Sequence, residues 1–305
     1  MNENQKKLLE EILGFSNVSL EAYNIRANGE SIGRVSTKNI KIVSKEDVSG
    51  IDIIISPKTK NETVHIPVII DVDGITERVY NDFYIGEDAD VLIVAGCGIH
   101  NDGEETSRHD GIHSFHVGKN AKVRYIEKHY GDGTGHGKRN MNPDTIIEIE
   151  DGGYMEMETT QIKGVDSTKR FTKATLRNEA TLIVKEKLFT HEDQSAETSF
   201  DIDLDGINCR TNIVSRSVAK GYSKQLFLAK MHGNNKCYGH SECDAILMDK
   251  ADIAAIPEIA AHHLDANLVH EAAIGKIAGE QLMKLMTLGL TEEDAEKQII
   301  NGFLK

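Results

Sequence analysis

The chain has 305 residues, with 35 Lys and Arg against 49 Asp and Glu, a formal charge of −14. That length allows one large domain or two modest ones with a sizeable core. The acidity argues against nucleic acid as a main partner, because phosphate binding needs clustered basic side chains. Only 39% of residues are apolar, 5% are aromatic and none is Trp, too thin for a large helical enzyme but enough for a solenoid with a narrow aliphatic core.

The first predicted element is a helix carried by Leu8, Leu9, Ile12 and Leu13, with Gly14 as its stop. From about residue 38 to about residue 270 short apolar runs alternate with polar turns, at 51–55, 68–70, 91–94, 123–126, 145–149 and 181–184. A loose turn-then-strand repeat starts near Asn120, Gly152, Glu179, Asp205, Lys250 and Asp265, at separations of about 32, 27, 26, 45 and 15 residues. Rungs of variable length fit that spacing better than a strict array. Met155-Glu156-Met157-Glu158 has the alternation of a strand buried on one face. Amphipathic helices do not intervene, which excludes a doubly wound α/β sheet. The irregular repeat favours a parallel β-helix over a sandwich or a barrel.

Ile274, Ile277, Ala278, Leu282, Leu285, Met286 and Leu288 return to helical spacing, ended by Gly289, and Thr291-Glu292-Glu293-Asp294 opens a last helix through Ile300. The organisation read from these signals is an N-terminal helical region (1–37), a β-helix core (38–270) and a C-terminal helical region (271–305). The terminal Leu/Met stripe is either local packing or a docking surface for another protein. No window approaches a membrane span, and Met1 to Lys7 lack the apolar stretch of a signal peptide. The expectation is a cytoplasmic protein with neither membrane nor nucleic acid as partner.

The glycine run from Gly131 to Arg139 tempts as a phosphate loop, but a Walker motif needs Gly at 132 and Ser or Thr at 139, where Asp and Arg stand. It reads as a mobile loop, and the chain as one that does not itself hydrolyse ATP. The four cysteines, Cys97, Cys209, Cys237 and Cys243, include no CxxC, which removes zinc-ribbon and thioredoxin readings. His100, His109, His113 and His116 follow Cys97, a mixture of imidazole and thiol that suits zinc, copper or iron. The spacing matches no familiar site, and a strand over 112–117 puts His113 and His116 on opposite faces. The competing readings are a metal-dependent hydrolase or isomerase on a β-solenoid or barrel using segment 97–116, and a polar loop with one buried histidine.

A tighter cluster is Cys237-Tyr238-Gly239-His240-Ser241-Glu242-Cys243-Asp244. On a strand, Cys237 and Cys243 share one face while His240 and Glu242 share the other. Downstream, Val269-His270-Glu271-Ala272 sets an imidazole beside a carboxylate.

These two blocks come in order between Ser215-Arg216-Ser217-Val218-Ala219-Lys220-Gly221 and Ile274-Gly275-Lys276-Ile277, with Gly289-Leu290 and Ile300-Asn301-Gly302-Phe303 closing the chain. Over roughly the last ninety residues the chain resembles the SufB/SufD family, the scaffold proteins of the SUF iron–sulfur cluster assembly system, in a compact form more like SufB than SufD. The resemblance implies a right-handed parallel β-helix flanked by helical termini. It also implies a transient iron–sulfur cluster as cargo and an ABC-type ATPase, SufC, docked on the C-terminal helices and supplying all ATP chemistry. By carry-over, Cys243 is the sulfur-accepting and cluster-ligating thiol, Glu271 its partner ligand and His270 their neighbour. Cys237 is a candidate for sulfur relay.

Few Cys ligands suit a cluster that must leave again. The shortness of the chain points to a homodimer doing the work of a SufB–SufD pair, unless a separate SufD-like chain exists. A sulfur donor and apo-protein acceptors complete the expected partners. A third reading is a SufD-like regulator that binds the ATPase but holds no cluster.

Overall fold

The computed structural model describes residues 1–14 and 21–305. Its body is two ten-stranded sheets wound as one parallel β-solenoid of about eight turns, with helices at the two ends of the chain. The first sheet contains β1 (Ala22–Ala27), β2 (Glu30–Val35), β5 (Lys60–Ile70), β7 (Asp90–His100) and β9 (Lys122–Asp132). It continues through β12 (Tyr154–Lys163), β14 (Thr181–Thr190), β16 (Arg210–Ala219), β18 (Tyr238–Leu247) and β20 (Asn267–Gly275). The second sheet contains β3 (Ile40–Ser44), β4 (Gly50–Ile55), β6 (Thr76–Ile85), β8 (Ser107–Val117), β10 (Arg139–Met141) and β11 (Asp144–Ile149). It is completed by β13 (Ser167–Leu176), β15 (Ser195–Leu204), β17 (Lys224–Gly233) and β19 (Asp252–Ala261). Pairing is parallel throughout, except for β1 with β2 and β3 with β4 at the N-terminal end. At the other end β19 and β20 are the last strands of their sheets.

Alternation builds the core. In β15, Ala196, Thr198, Phe200, Ile202 and Leu204 are buried while the residues between them face out. The same phase repeats in β14, β16, β17 and β18. Corners use a residue with positive φ followed by a small one. Asp88, Asn120, Glu179 and Asn208 have φ of 54–59°, and Ala89, Ala121, Ala180 and Cys209 after them are fully buried. The left-handed conformation reverses the chain, and only a small side chain fits beneath the bend.

The pairing register gives turns of 32 residues from Asp90 to Lys122 to Tyr154, then of 27, 29, 28 and 29 residues to Thr181, Arg210, Tyr238 and Asn267. The spacings of 45 and 15 residues read from sequence arise because Lys250 precedes β19 of the second sheet, whereas Asp265 precedes β20 of the first.

Helix α1 (Glu3–Leu13) is opened by a capping box between Asn2 and Gln5 and closed by Gly14. Leu8, Ile12 and Leu13 are its buried face. The helix lies on β7 where Gly96 and Gly98 flank Cys97, and a Cβ at Gly96 would stand 2.2 Å from Ile12 Cγ2. Glycine is what lets the helix approach the sheet so closely.

Three expectations are corrected. Residues 22–35, read within a helical region, form β1 and β2, and β20 carries strand structure past residue 270 to Gly275. Ile274, read as helical, belongs to that strand, so helix α2 (Gly279–Thr287) starts later; α3 (Glu292–Phe303) begins where expected, with Thr291 as N-cap. The glycine run is no free loop. Thr134 donates its backbone N–H and its hydroxyl to Asp102 Oδ1 at 2.7 and 3.0 Å, and Gly135 and Gly137 donate to Asn101 and Gly103 carbonyls. A Cβ at Gly135 would meet Gly103 O at 2.3 Å, so the glycines allow one turn's corner to stack on the next.

Candidate functional site

The last two strands of the first sheet carry the Cys–His–Glu constellation. Register places Cys243 between Ser215 of β16 and Ala272 of β20, Ser241 beside His270, and Glu242 beside Glu271. Period two then sorts them. Cys243 and Ser241 point into the solenoid, and both are at most 1% exposed; His270 shares their face, its Nδ1 3.2 Å from Ser241 Oγ. His240, Glu242 and Glu271 point outward. Cys243 and Glu271 therefore sit back to back across one sheet.

The inner face is polar and buried. Ser215, the ladder neighbour of Cys243, donates to Glu186 Oε2 at 2.6 Å, and Thr198 donates to Glu186 Oε1 at 2.8 Å. Burial, with the Glu186 and Asp244 carboxylates adding, pushes the Cys243 thiol up to about 12. Burial also lowers His270, with His240 as a lesser cause, and the shielded Nε2 of His270 has no hydrogen-bond partner. Burial thus disfavours charge on both groups.

On the outer face three side chains that could ligate a metal converge. Donor atoms of His240, Glu242 and Glu271 all lie within 4.8 Å of one another, and His240 Nε2 is 3.9 Å from Glu271 Oε2. His240 Nδ1 is 2.8 Å from Asn212 Oδ1, an acceptor that fixes the proton on Nδ1 and frees the Nε2 lone pair. Glu242 is raised by burial and by hydrogen bonding and repulsion from Asp244. Two carboxylates side by side repel; a cation bound to both would reverse that term.

Cys237 lies just before β18, buried and one turn from Cys209; Cys209 is itself pushed up to about 12 by burial and then by Cys237. Both belong to the same interior cluster as Cys243.

Segment 97–116 divides differently from its sequence spacing. Cys97, His109 and His113 line an enclosed cavity of about 10 Å³ together with Glu127 and His129, room for about one water molecule. His100 is outside it, bound to Asp102 and Asp132 at 2.8 and 3.4 Å. His116 faces outward, stacked on Tyr84 and 3.2 Å from Glu148.

Inside, the three histidines and Glu127 already have protein partners. His109 Nδ1 is 3.0 Å from Glu77, which also binds Arg26. His113 Nδ1 is 2.8 Å from Tyr125 Oη, which donates to Glu127, itself paired with Arg170. Burial drives His113 down to about 4. Burial would raise Glu127, but Arg170, then His129 and His113, hold it well below the carboxylate range. Among the described residues, metal-capable groups converge at His240/Glu242/Glu271 and at Asp201/Asp203/His232, and neither set draws on 97–116.

Glu127 and His129 were missed from sequence. Their signal was the inward period of β9, where Tyr125, Glu127 and His129 put three polar groups in an apolar register.

The family model "SUF system FeS cluster assembly, SufBD core domain" matches residues 79–303. This chain belongs to the SufBD family. Iron–sulfur cluster assembly SufBD family proteins similar to it include one from Archaeoglobus fulgidus, 30% identical over 87% of this chain and 70% of its own length. One from Methanocaldococcus jannaschii is 26% identical over 79% and 76%, and one from Pyrococcus horikoshii is 29% identical over 90% and 83%. The SufBD match runs from within β6 to the end of α3 and takes in His240, Glu242, Glu271, Asp201, Asp203 and His232.

Those helices differ in how they sit. Ile300 of α3 and the following Leu304 pack on Val218 and its neighbours, Ala295 is also buried, and Lys220 pairs with Glu296 at 3.0 Å. Helix α2 buries none of its residues and exposes Met283 and Met286. No described helix is long and apolar enough to cross a membrane.

Proposed function

We propose that this SufBD chain is a compact SufB-like scaffold on which nascent iron–sulfur clusters are assembled and released, rather than a catalyst in its own right. The observation that carries this is the placement of Cys243 in the penultimate strand of its sheet, with a His/Glu/Glu set on the reverse of the same two strands. A thiol accepts sulfur and binds iron softly, while carboxylates and an imidazole hold iron(II) weakly enough to give it up. Cys243 is the sulfur side, and Glu271, with His240 and Glu242, is the iron side. His270, on the thiol's own face, offers a ring nitrogen that no protein group occupies. Cys237, in the same interior cluster, is the candidate for sulfur relay.

The assembly partners follow from exposed surface. Strands β19 and β20 end their sheets with Ile256, Ile259 and Ile274 exposed, an edge that another chain would have to cover. A second copy of this chain, or a SufD-like one, seated there would bring the two Cys243 sites together. The uncovered Met283 and Met286 of α2 are the docking face for a SufC-like ABC ATPase, which supplies the ATP-driven step.

The test is anaerobic purification of the chain with its cognate ATPase. The proposal expects a stable complex holding iron and acid-labile sulfide in similar amounts. An intact complex that never takes up either supports the SufD-like regulator instead. Stoichiometric zinc with no affinity for the ATPase supports a metalloenzyme.

A further inference from the structure

A second convergence of metal ligands lies on the outer face of the opposite sheet, and the assembly chemistry above does not use it. Asp201 and Asp203 are alternate residues of β15, so both point outward, and their ladder partners in β17 are Lys230 and His232. Donor atoms of Asp201, Asp203 and His232 all lie within 4.8 Å of one another, with His232 Nε2 3.5 Å from Asp201 Oδ1. That carboxylate oxygen is shielded from solvent and accepts no hydrogen bond. An anionic oxygen shielded from water and faced only by the His232 imidazole at 3.5 Å is poorly compensated, and a bound cation would compensate it.

Lys230, the ladder partner of Asp201, places its ammonium 2.9 Å from Glu258 and is attracted more weakly by Asp201 and Asp203, without a hydrogen bond to either. The His232 ring is stacked nearly parallel on His262, at 8° and 6.2 Å between centroids, which limits its rotation. All three ligand residues are half-buried, so one side of the group opens to solvent.

We propose that Asp201, Asp203 and His232 form an exchangeable site for one divalent first-row transition ion, of the zinc, iron(II) or manganese class. Two carboxylates balance its charge. The imidazole nitrogen disfavours calcium and magnesium, which take oxygen ligands, and the absence of thiolate disfavours copper(I). Three protein ligands with an open side are the pattern of a site that keeps water and exchanges, not of a closed structural one. The site stands apart from His240, Glu242 and Glu271, which are on the other sheet.

The experiment is equilibrium dialysis of zinc(II) against the full chain, with a chelator buffering free zinc in the micromolar range. Wild type is compared with Asp201→Asn/Asp203→Asn, His240→Gln/Glu271→Gln and the fourfold variant, all checked for native circular dichroism. Loss of one zinc equivalent in Asp201→Asn/Asp203→Asn, beyond any loss in the other pair, is expected. The single outward substitution His232→Gln is expected to reproduce it. Full zinc retention in either His232→Gln or the aspartate pair overturns the site. Full retention in His240→Gln/Glu271→Gln alone counts against the iron side proposed above and leaves this site standing.

Discussion

Cys243 and Glu271 occupy neighbouring strands of one sheet yet face opposite ways, because Cys243 is laddered to Ala272 and Glu271 to Glu242. The residue that would take sulfur is sealed inside the solenoid, and the residue that would take iron is exposed on its outer wall. Uniting the two requires the terminal turn to open or a second chain to complete the site. Several consequences can be measured.

The Cys243 thiol, pushed from an ordinary 9.0 to about 12, carries roughly a thousandfold less thiolate at neutral pH than an ordinary cysteine. Iodoacetamide should leave it unlabelled in the native chain and label it fully in denaturant, as read by peptide mass spectrometry. If the ATPase opens the terminal turn, adding it with ATP should restore native labelling. Rapid labelling of the isolated native chain would contradict the burial argument.

His113, at about 4 when folded against 6.5 when free, binds fewer protons folded than unfolded between those values. Stability is therefore present above the free value and lost as pH falls through that window, by roughly 3 kcal/mol at the acid end. Urea midpoints should drop on acidification, and His113→Gln should flatten the drop. An unchanged pH slope in the variant would assign the loss to other groups.

Arg170 and Glu127 are paired and buried in the solenoid interior. Removing one partner of such a pair leaves an uncompensated charge, so Arg170→Met should cost about 3–5 kcal/mol. Arg170→Met/Glu127→Gln should recover part of it. Denaturant titrations of the single and double variants give the comparison, and equal losses in both would mean the pair is not the cause.

Gly96→Ala places a Cβ 2.2 Å from Ile12 Cγ2 and 2.5 Å from the Lys128 carbonyl oxygen. Because one of these is backbone, the strain is relieved most readily by lifting α1 off β7. A cost of about 1–3 kcal/mol and faster amide exchange confined to residues 3–13 are expected. Exchange unchanged over that helix would contradict the packing.

Much of this architecture was legible in the chain itself. Short apolar runs marked β4, β5, β7, β9, β11 and β14, alternation marked β12, and the Gly131 run failed as a phosphate loop on two positions alone. Strand phase alone also separates His113 from His116, and Cys243 from His240 and Glu242. What escaped was whatever depends on stacking between turns. Glu127 and His129 became part of the 97–116 cluster only because Cys97 is laddered to His129, 32 residues along. The Asp201–His232 pairing is equally invisible in sequence, since the residues converge only through the register of β15 on β17. Ile274 misled because a strand ending beside a helix lends its last apolar residues to the helical period.

The most direct measurement is iron and acid-labile sulfide on the anaerobic complex with its ATPase, comparing wild type with Cys243→Ser and Glu271→Gln. The back-to-back arrangement predicts that Cys243→Ser keeps iron but carries no sulfide, while Glu271→Gln loses iron. Sulfide in Cys243→Ser equal to wild type, with the complex intact, would contradict Cys243 as the sulfur-accepting residue.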